Sequence, residues 1–109
     1  MAKAWAALDR AQARTGQPFA DVLRLRVQQS DLRSPQLAEE LSVRLGRPVT
    51  AGWVRQNLHR ARDLFVDALV IEVERSLEDP SPERLEEELE ELGLLDRCRP
   101  ALKRRGRSP

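Results

Sequence analysis

The stretch TAGWVRQNLHRARDLF, from Thr50 to Phe65, decides how this chain folds. Apolar residues recur in it at intervals of three and four positions, the spacing of one face of a helix: Val54, Leu58, Ala61 and Phe65. The side chains between them carry charges or hydrogen-bonding groups. The stretch therefore predicts an amphipathic helix with one apolar face and one solvent-exposed face.

A second helix is predicted directly upstream, over residues 34–45. Ser34 followed by Pro35 is a helix start signal, a serine cap with proline in the first turn, and Gly46 is a stop signal. Thr50 is a suitable cap for the next helix, which the apolar spacing extends over residues 50–77. Two helices joined by a glycine-containing turn predict a helix-turn-helix.

The second half of the long helix, residues 64–77, is apolar nearly all the way round. A helix of this kind must be buried on several sides. We expect it to form the spine of the domain, contacted by the amino-terminal helices and the last helix, or to form the seam of a homodimer.

The remaining sequence predicts an all-α protein, a small helical bundle. Residues 1–79 form the helical domain that contains the helix-turn-helix, with further helices over residues 4–14 and after Pro18. Ser81 and Pro82 open an acidic helical extension over residues 80–102, which we expect to pack on that domain. Residues 103–109 are predicted to be a basic, disordered tail.

The composition argues against several classes of protein. Among 109 residues there is one cysteine and one histidine, which excludes an intramolecular disulfide and leaves no ligand set for a metal. No nucleophile–base pair or phosphate-binding glycine loop is present, so we expect neither enzymatic activity nor a cofactor. No leader sequence and no apolar run long enough for a bilayer is found, so we expect a cytoplasmic protein without a membrane partner.

The formal net charge of +1 hides a strong segregation along the chain. Residues 1–62 carry 11 basic and 5 acidic side chains, residues 63–96 carry 2 basic and 13 acidic ones, and residues 97–109 carry 6 basic ones. Such blocks indicate at least two surfaces with different partners. The acidic block includes a run of glutamates over residues 83–91, either a solvated helix face or a surface for a basic partner.

The outward positions of the long helix predict contacts with double-stranded DNA. Arginine, glutamine and asparagine match the purine edges on the floor of the major groove, and phosphate attraction adds affinity. The candidate DNA-binding residues are Thr50, Arg55, Gln56, Asn57, His59, Arg60 and Arg62. From the residues alone, a hairpin that docks on another protein and a merely solvated face are the alternatives.

Residues 54–62, VRQNLHRAR, followed by Leu64 and Phe65, resemble the recognition helix of region 4 in bacterial sigma factors of the extracytoplasmic-function type. SPQLAEEL, residues 34–41, resembles the preceding helix, with Ala38 at the small position where the two helices touch. More loosely, the stretch from Phe19 to Leu102 resembles sigma-related proteins of planctomycete-type bacteria.

The resemblance implies recognition of a promoter −35-like element and contact with the RNA polymerase core. It implies that Arg55, Gln56, Asn57 and Arg60 face the bases and that Thr50 and Arg62 lie on the phosphate side. The sequence departs from the family in a longer link between the two helices and in lacking the promoter-melting region 2. A module that binds RNA polymerase, a sigma factor or a second copy of itself, without DNA, is the alternative function.

Overall fold

The computed structural model describes residues 2–106, which form six helices and no strand. The helices are α1 (Ala2–Thr15), α2 (Phe19–Gln28), α3 (Ser34–Leu45), α4 (Ala51–Ser76), α5 (Pro82–Glu91) and α6 (Leu95–Gly106). The predicted all-α class is confirmed. The two helices of the predicted helix-turn-helix correspond to α3 and α4, each within one residue of its expected ends.

Local signals account for several helix ends. The Gln36 side chain accepts a hydrogen bond from the backbone N–H of Arg33 over 2.8 Å, so Arg33 is the cap of α3 and Ser34 is its first residue. The expectation that Ser34 itself is the cap is therefore wrong by one position. At α5 the predicted cap is confirmed, because the Ser81 hydroxyl accepts a hydrogen bond from the Arg84 N–H over 3.2 Å.

The chain divides into two compact units, and the division falls inside α1 and α4. We call residues 8–62 the basic unit, because this range holds ten basic and five acidic side chains. Residues 2–7 and 63–106 form the acidic unit. The division differs from the predicted boundary at residue 79, because residues 63–76 of α4 belong with α5 and α6.

The core of the basic unit consists of aliphatic side chains and one aromatic ring. α3 contributes Leu37, Ala38 and Leu41, and the first half of α4 contributes Val54, Leu58 and Ala61, as their spacing predicted. The remainder comes from α1 and α2: Leu8, Ala11, Phe19, Ala20, Val22, Leu23 and Leu25. This core fixes which face of α4 points inward and which faces solvent.

The core of the acidic unit is built on the second half of α4. Leu69, Val70 and Val73 pack in one buried cluster with Ala4 of α1, Leu85 and Leu89 of α5, and Cys98 and Ala101 of α6. The rings of Trp5 and Phe65 meet edge to face, with centroids 5.0 Å apart. Packing against three helices explains why this half of α4 is apolar nearly all round. A homodimer through residues 64–77 stays a prediction.

The predicted disordered tail is wrong for residues 103–106, which form the last turn of α6. Long-range ion pairs connect this turn to α4. Arg104 lies 2.6 Å from Asp67 and 3.6 Å from Asp63, and Arg105 lies 2.6 Å from Glu74, so α4 supplies carboxylates to the end of α6. Residues 107–109, the rest of the predicted tail, lie outside the described residues.

Candidate nucleic-acid interface

The turn between α3 and α4, residues 46–50, is held by side-chain and backbone hydrogen bonds. The Ser42 hydroxyl donates to the carbonyl of Ala38 over 2.7 Å and accepts from the N–H of Val49 over 3.0 Å. Gly46 ends α3 in the left-handed region, at φ 68°. These contacts set the direction in which the chain enters α4.

The first turn of α4 is capped by Thr50, one of the predicted phosphate-side residues. Its hydroxyl oxygen accepts the N–H of Trp53 over 3.0 Å, the arrangement of an N-cap. The hydroxyl proton stays free for a further acceptor. Trp53 is half-buried, and the Arg47 guanidinium lies 5.6 Å from the centroid of its ring. That distance is typical of a cation–π contact.

Five of the predicted site residues form one exposed surface on the first half of α4, which we call the basic stripe: Arg55, Gln56, His59, Arg60 and Arg62. Their spacing of three and four residues places them on adjoining positions of the helix. Val54, Leu58 and Ala61 are buried beneath them. The structure therefore brings together these five side chains, with Thr50 at the amino-terminal end of the same helix.

Asn57 does not belong to this surface, and the expectation that it faces outward is wrong. The residue is only 7% exposed, and its side-chain N–H donates to the carbonyl of Trp53 over 3.2 Å. Its Oδ1 atom is buried without a hydrogen-bond partner. Asn57 lies next to Leu58 and three residues after Val54, at the edge of the apolar face, where periodicity does not decide between inside and outside.

The arginines of the basic unit differ in whether a carboxylate neutralises them. Arg24 forms two hydrogen bonds with Asp9, of 2.7 and 2.9 Å, and this contact lowers the pKa of the Asp9 carboxyl. Arg44 lies 3.4 Å from Glu40 on α3. Within residues 2–106, no carboxylate forms an ion pair with Arg55, Arg60 or Arg62. The basic stripe thus presents guanidinium groups that are available to an anionic ligand.

The sequence analysis did not single out Arg47, which contacts the aromatic ring at the start of α4. Arg47 lies in the turn, six positions before Trp53, so no helical spacing connects the two residues. A stacked guanidinium beside a helix amino terminus becomes visible only once the turn has folded. Together, the turn and the basic stripe can contact phosphates and base edges.

Comparison of the chain with protein-family models, with curated proteins and with solved structures finds no significant match. In the part of the chain that the structure describes, no group of three or more histidine, cysteine, aspartate or glutamate residues could hold a metal ion. No helix within residues 2–106 has the length and apolar character needed to span a membrane.

Proposed function

We propose that the basic unit binds double-stranded DNA by placing the first half of α4 in the major groove, as the DNA-binding part of a sigma-factor-like protein that initiates or regulates transcription. One observation carries the proposal. The basic stripe exposes three arginines without a carboxylate partner beside Gln56 and His59, on a helix whose opposite face is fixed by the core.

The chemistry of these side chains suits the groove. A major groove about 12 Å wide admits a helix about 10–12 Å in diameter. Arg55 and Arg60 can each donate two hydrogen bonds to guanine, and Gln56 can make a bidentate contact with adenine. Thr50 and Arg62 supply a hydroxyl and a guanidinium for phosphates, whose neutralisation provides most of the affinity.

The sequence resemblance to region 4 of sigma factors specifies the kind of DNA in the proposal and adds a second partner. On that resemblance the DNA is a promoter −35-like element, and the RNA polymerase core is a second partner. Asn57 is left out of the proposed contacts, because its amide is buried.

A protein-docking role is the second candidate, and exposed apolar side chains favour it. Val43 on α3 is 83% exposed and Val27 on α2 is 63% exposed. In this case the basic unit would bind a polymerase subunit, a sigma factor or a second copy of the chain without contacting DNA.

Fluorescence anisotropy separates the two candidates. The complete chain is titrated with random and promoter-like duplexes over a series of salt concentrations. A DNA-binding protein gives a log–log salt slope of several units, and Arg62→Ala, which removes a phosphate-side cation, lowers that slope by about one. Arg84→Ala, on the exposed face of α5 in the acidic unit, is the matched control and leaves the slope unchanged.

Absence of binding at low salt would contradict the proposal and favour protein docking. Binding with equal salt slopes for wild type, Arg62→Ala and Arg84→Ala would also contradict it, since the basic stripe would then not be the contact surface. Promoter-like DNA bound more tightly than random DNA would support the sigma-like reading.

A further inference from the structure

Gly52 differs from the other glycines between residues 2 and 105. Gly16, Gly46 and Gly93 each follow a helix and have φ angles of 75°, 68° and 72°. In this left-handed region, side chains with a Cβ atom are strained. Gly52 has no positive φ and lies in the first turn of α4. Its backbone conformation therefore does not require glycine.

Packing does not require glycine at position 52 either. A Cβ atom placed there would lie 3.8 Å from Oγ1 of Thr50 and 3.9 Å from Nη2 of Arg55, which is ordinary van der Waals contact. Glycine is also among the least favourable residues in a helix. Gly52 therefore weakens α4, although neither the backbone conformation nor the packing of neighbouring side chains requires a glycine at this position.

The position of Gly52 on the helix suggests the reason. Arg55, Gln56 and His59 follow it by three, four and seven residues, so Gly52 lies on the same face as the basic stripe, at its amino-terminal end. Arg55 and Gln56 have long side chains, whereas Gly52, next to them on this face of α4, has none. Gly52 is half-buried, with the Arg55 guanidinium beside it, and a bound surface can approach the part of the α4 backbone that stays exposed here without meeting a Cβ atom.

We infer that Gly52 provides clearance for the edges of the base pairs where DNA comes closest to α4. The inference rests on the proposed function. It places the closest approach between DNA and α4 at the amino-terminal end of α4. Recognition helices contact base edges with the residues at this end. A methyl group at position 52 would fill the space that the base edges occupy.

The test compares Gly52→Ala and Gly52→Gln with the wild type in the complete 109-residue chain. Each substitution should raise the unfolding temperature by roughly 2–4 °C, because a better helix former replaces glycine. Each should also weaken DNA binding, Ala by roughly fivefold or more and Gln by a larger factor, because the added side chain overlaps the bound DNA. The salt slope should not change, since no cation is lost.

Val43→Ala is the matched control, because it improves the helix propensity of α3 at a position that is 83% exposed and lies outside the basic stripe. It should raise the unfolding temperature slightly and leave the dissociation constant unchanged. This control separates steric overlap from a general effect of stabilising the helix-turn-helix.

Unchanged DNA affinity of both Gly52 variants, with Arg62→Ala still lowering the salt slope, would overturn the inference and leave the proposed function intact. A fall in stability would overturn it too, because Gly52 would then have a structural role. If the wild type does not bind DNA, the proposed function fails, and the inference fails with it.

Discussion

The backbone N–H of Val49 donates a hydrogen bond to the hydroxyl oxygen of Ser42 over 3.0 Å, and this contact ties the turn before α4 to the helix that precedes it. Ser42→Ala leaves the half-buried Val49 N–H without its acceptor. We expect a loss of about 1 kcal/mol in the free energy of unfolding, because this cost exceeds the gain in helix propensity. Urea unfolding followed by circular dichroism measures it. Ser30→Ala, at an exposed turn position, is the control and should change little.

Gly46→Ala should also destabilise the protein, by about 1 kcal/mol, since alanine is strained at a φ of 68°. No neighbouring atom lies within 4 Å of the added methyl group, so the loss reports backbone conformation and not a steric clash. The same urea titration measures it. A Gly46→Ala variant as stable as the wild type would show that α3 does not end in the left-handed conformation.

Substitutions at the adjacent residues 56 and 57 should affect different properties, DNA affinity at Gln56 and stability at Asn57. Asn57→Leu replaces a buried amide, one atom of which has no hydrogen-bond partner, and we expect unchanged or higher stability and a DNA affinity within about twofold of wild type. Gln56→Ala removes an exposed side chain and should weaken binding by roughly tenfold. Thermal unfolding and anisotropy measure the two effects. A large loss of affinity in Asn57→Leu would place its amide at the DNA after all.

The Asp9–Arg24 pair makes stability depend on pH at the acid end. The hydrogen bond from Arg24 lowers the pKa of Asp9 below its ordinary 3.8, so the pair stabilises the fold above that value and its contribution is lost as the pH falls through the lowered pKa. Both side chains are more than 40% exposed, so we expect the contribution to be about 0.5 kcal/mol or less. Asp9→Asn should be slightly less stable than wild type near neutral pH, and the difference should disappear as the pH falls through the lowered pKa of Asp9. A difference that persists at the lower pH would contradict an ionic origin.

Cys98 should react with iodoacetamide only when the acidic unit opens. The residue is completely buried between α6 and its neighbours, and burial raises the pKa of the thiol, which reduces the reactive thiolate. We expect labelling of the native chain to be at least about a hundredfold slower than that of a free cysteine, and to accelerate with urea as helicity is lost. Fast labelling in the absence of urea would show that α6 detaches readily.

Most of the fold could be predicted because its signals are local. The spacing of Val54, Leu58 and Ala61 fixed the inward face of α4, and Gly46 and Thr50 marked the turn on either side. The apolar second half of α4 correctly indicated burial on several sides. These features depend on residues within one or two helical turns of one another, which a sequence displays directly.

The features that the sequence did not reveal depend on contacts between distant residues. Arg104 is 37 positions from Asp67, and no local pattern in residues 103–106 shows that α4 supplies carboxylates that pair with Arg104 and Arg105. Asn57 lies at the edge of the apolar face, where helical spacing does not decide whether a polar side chain is buried or exposed. The charge blocks change between residues 62 and 63, where the two units also divide, but the domain boundary predicted at residue 79 missed this point, because it follows from the packing of residues 63–76 with α5 and α6.

The left-handed backbone at Gly46 has a stereochemical consequence. In a mirror-image amino acid, the region that is strained for natural residues is the preferred one. A chemically synthesised chain with D-alanine at position 46 would therefore keep the turn and lose less conformational entropy on folding than the chain with glycine. At this position the stability of the helix-turn-helix is limited by the handedness of the natural amino acids.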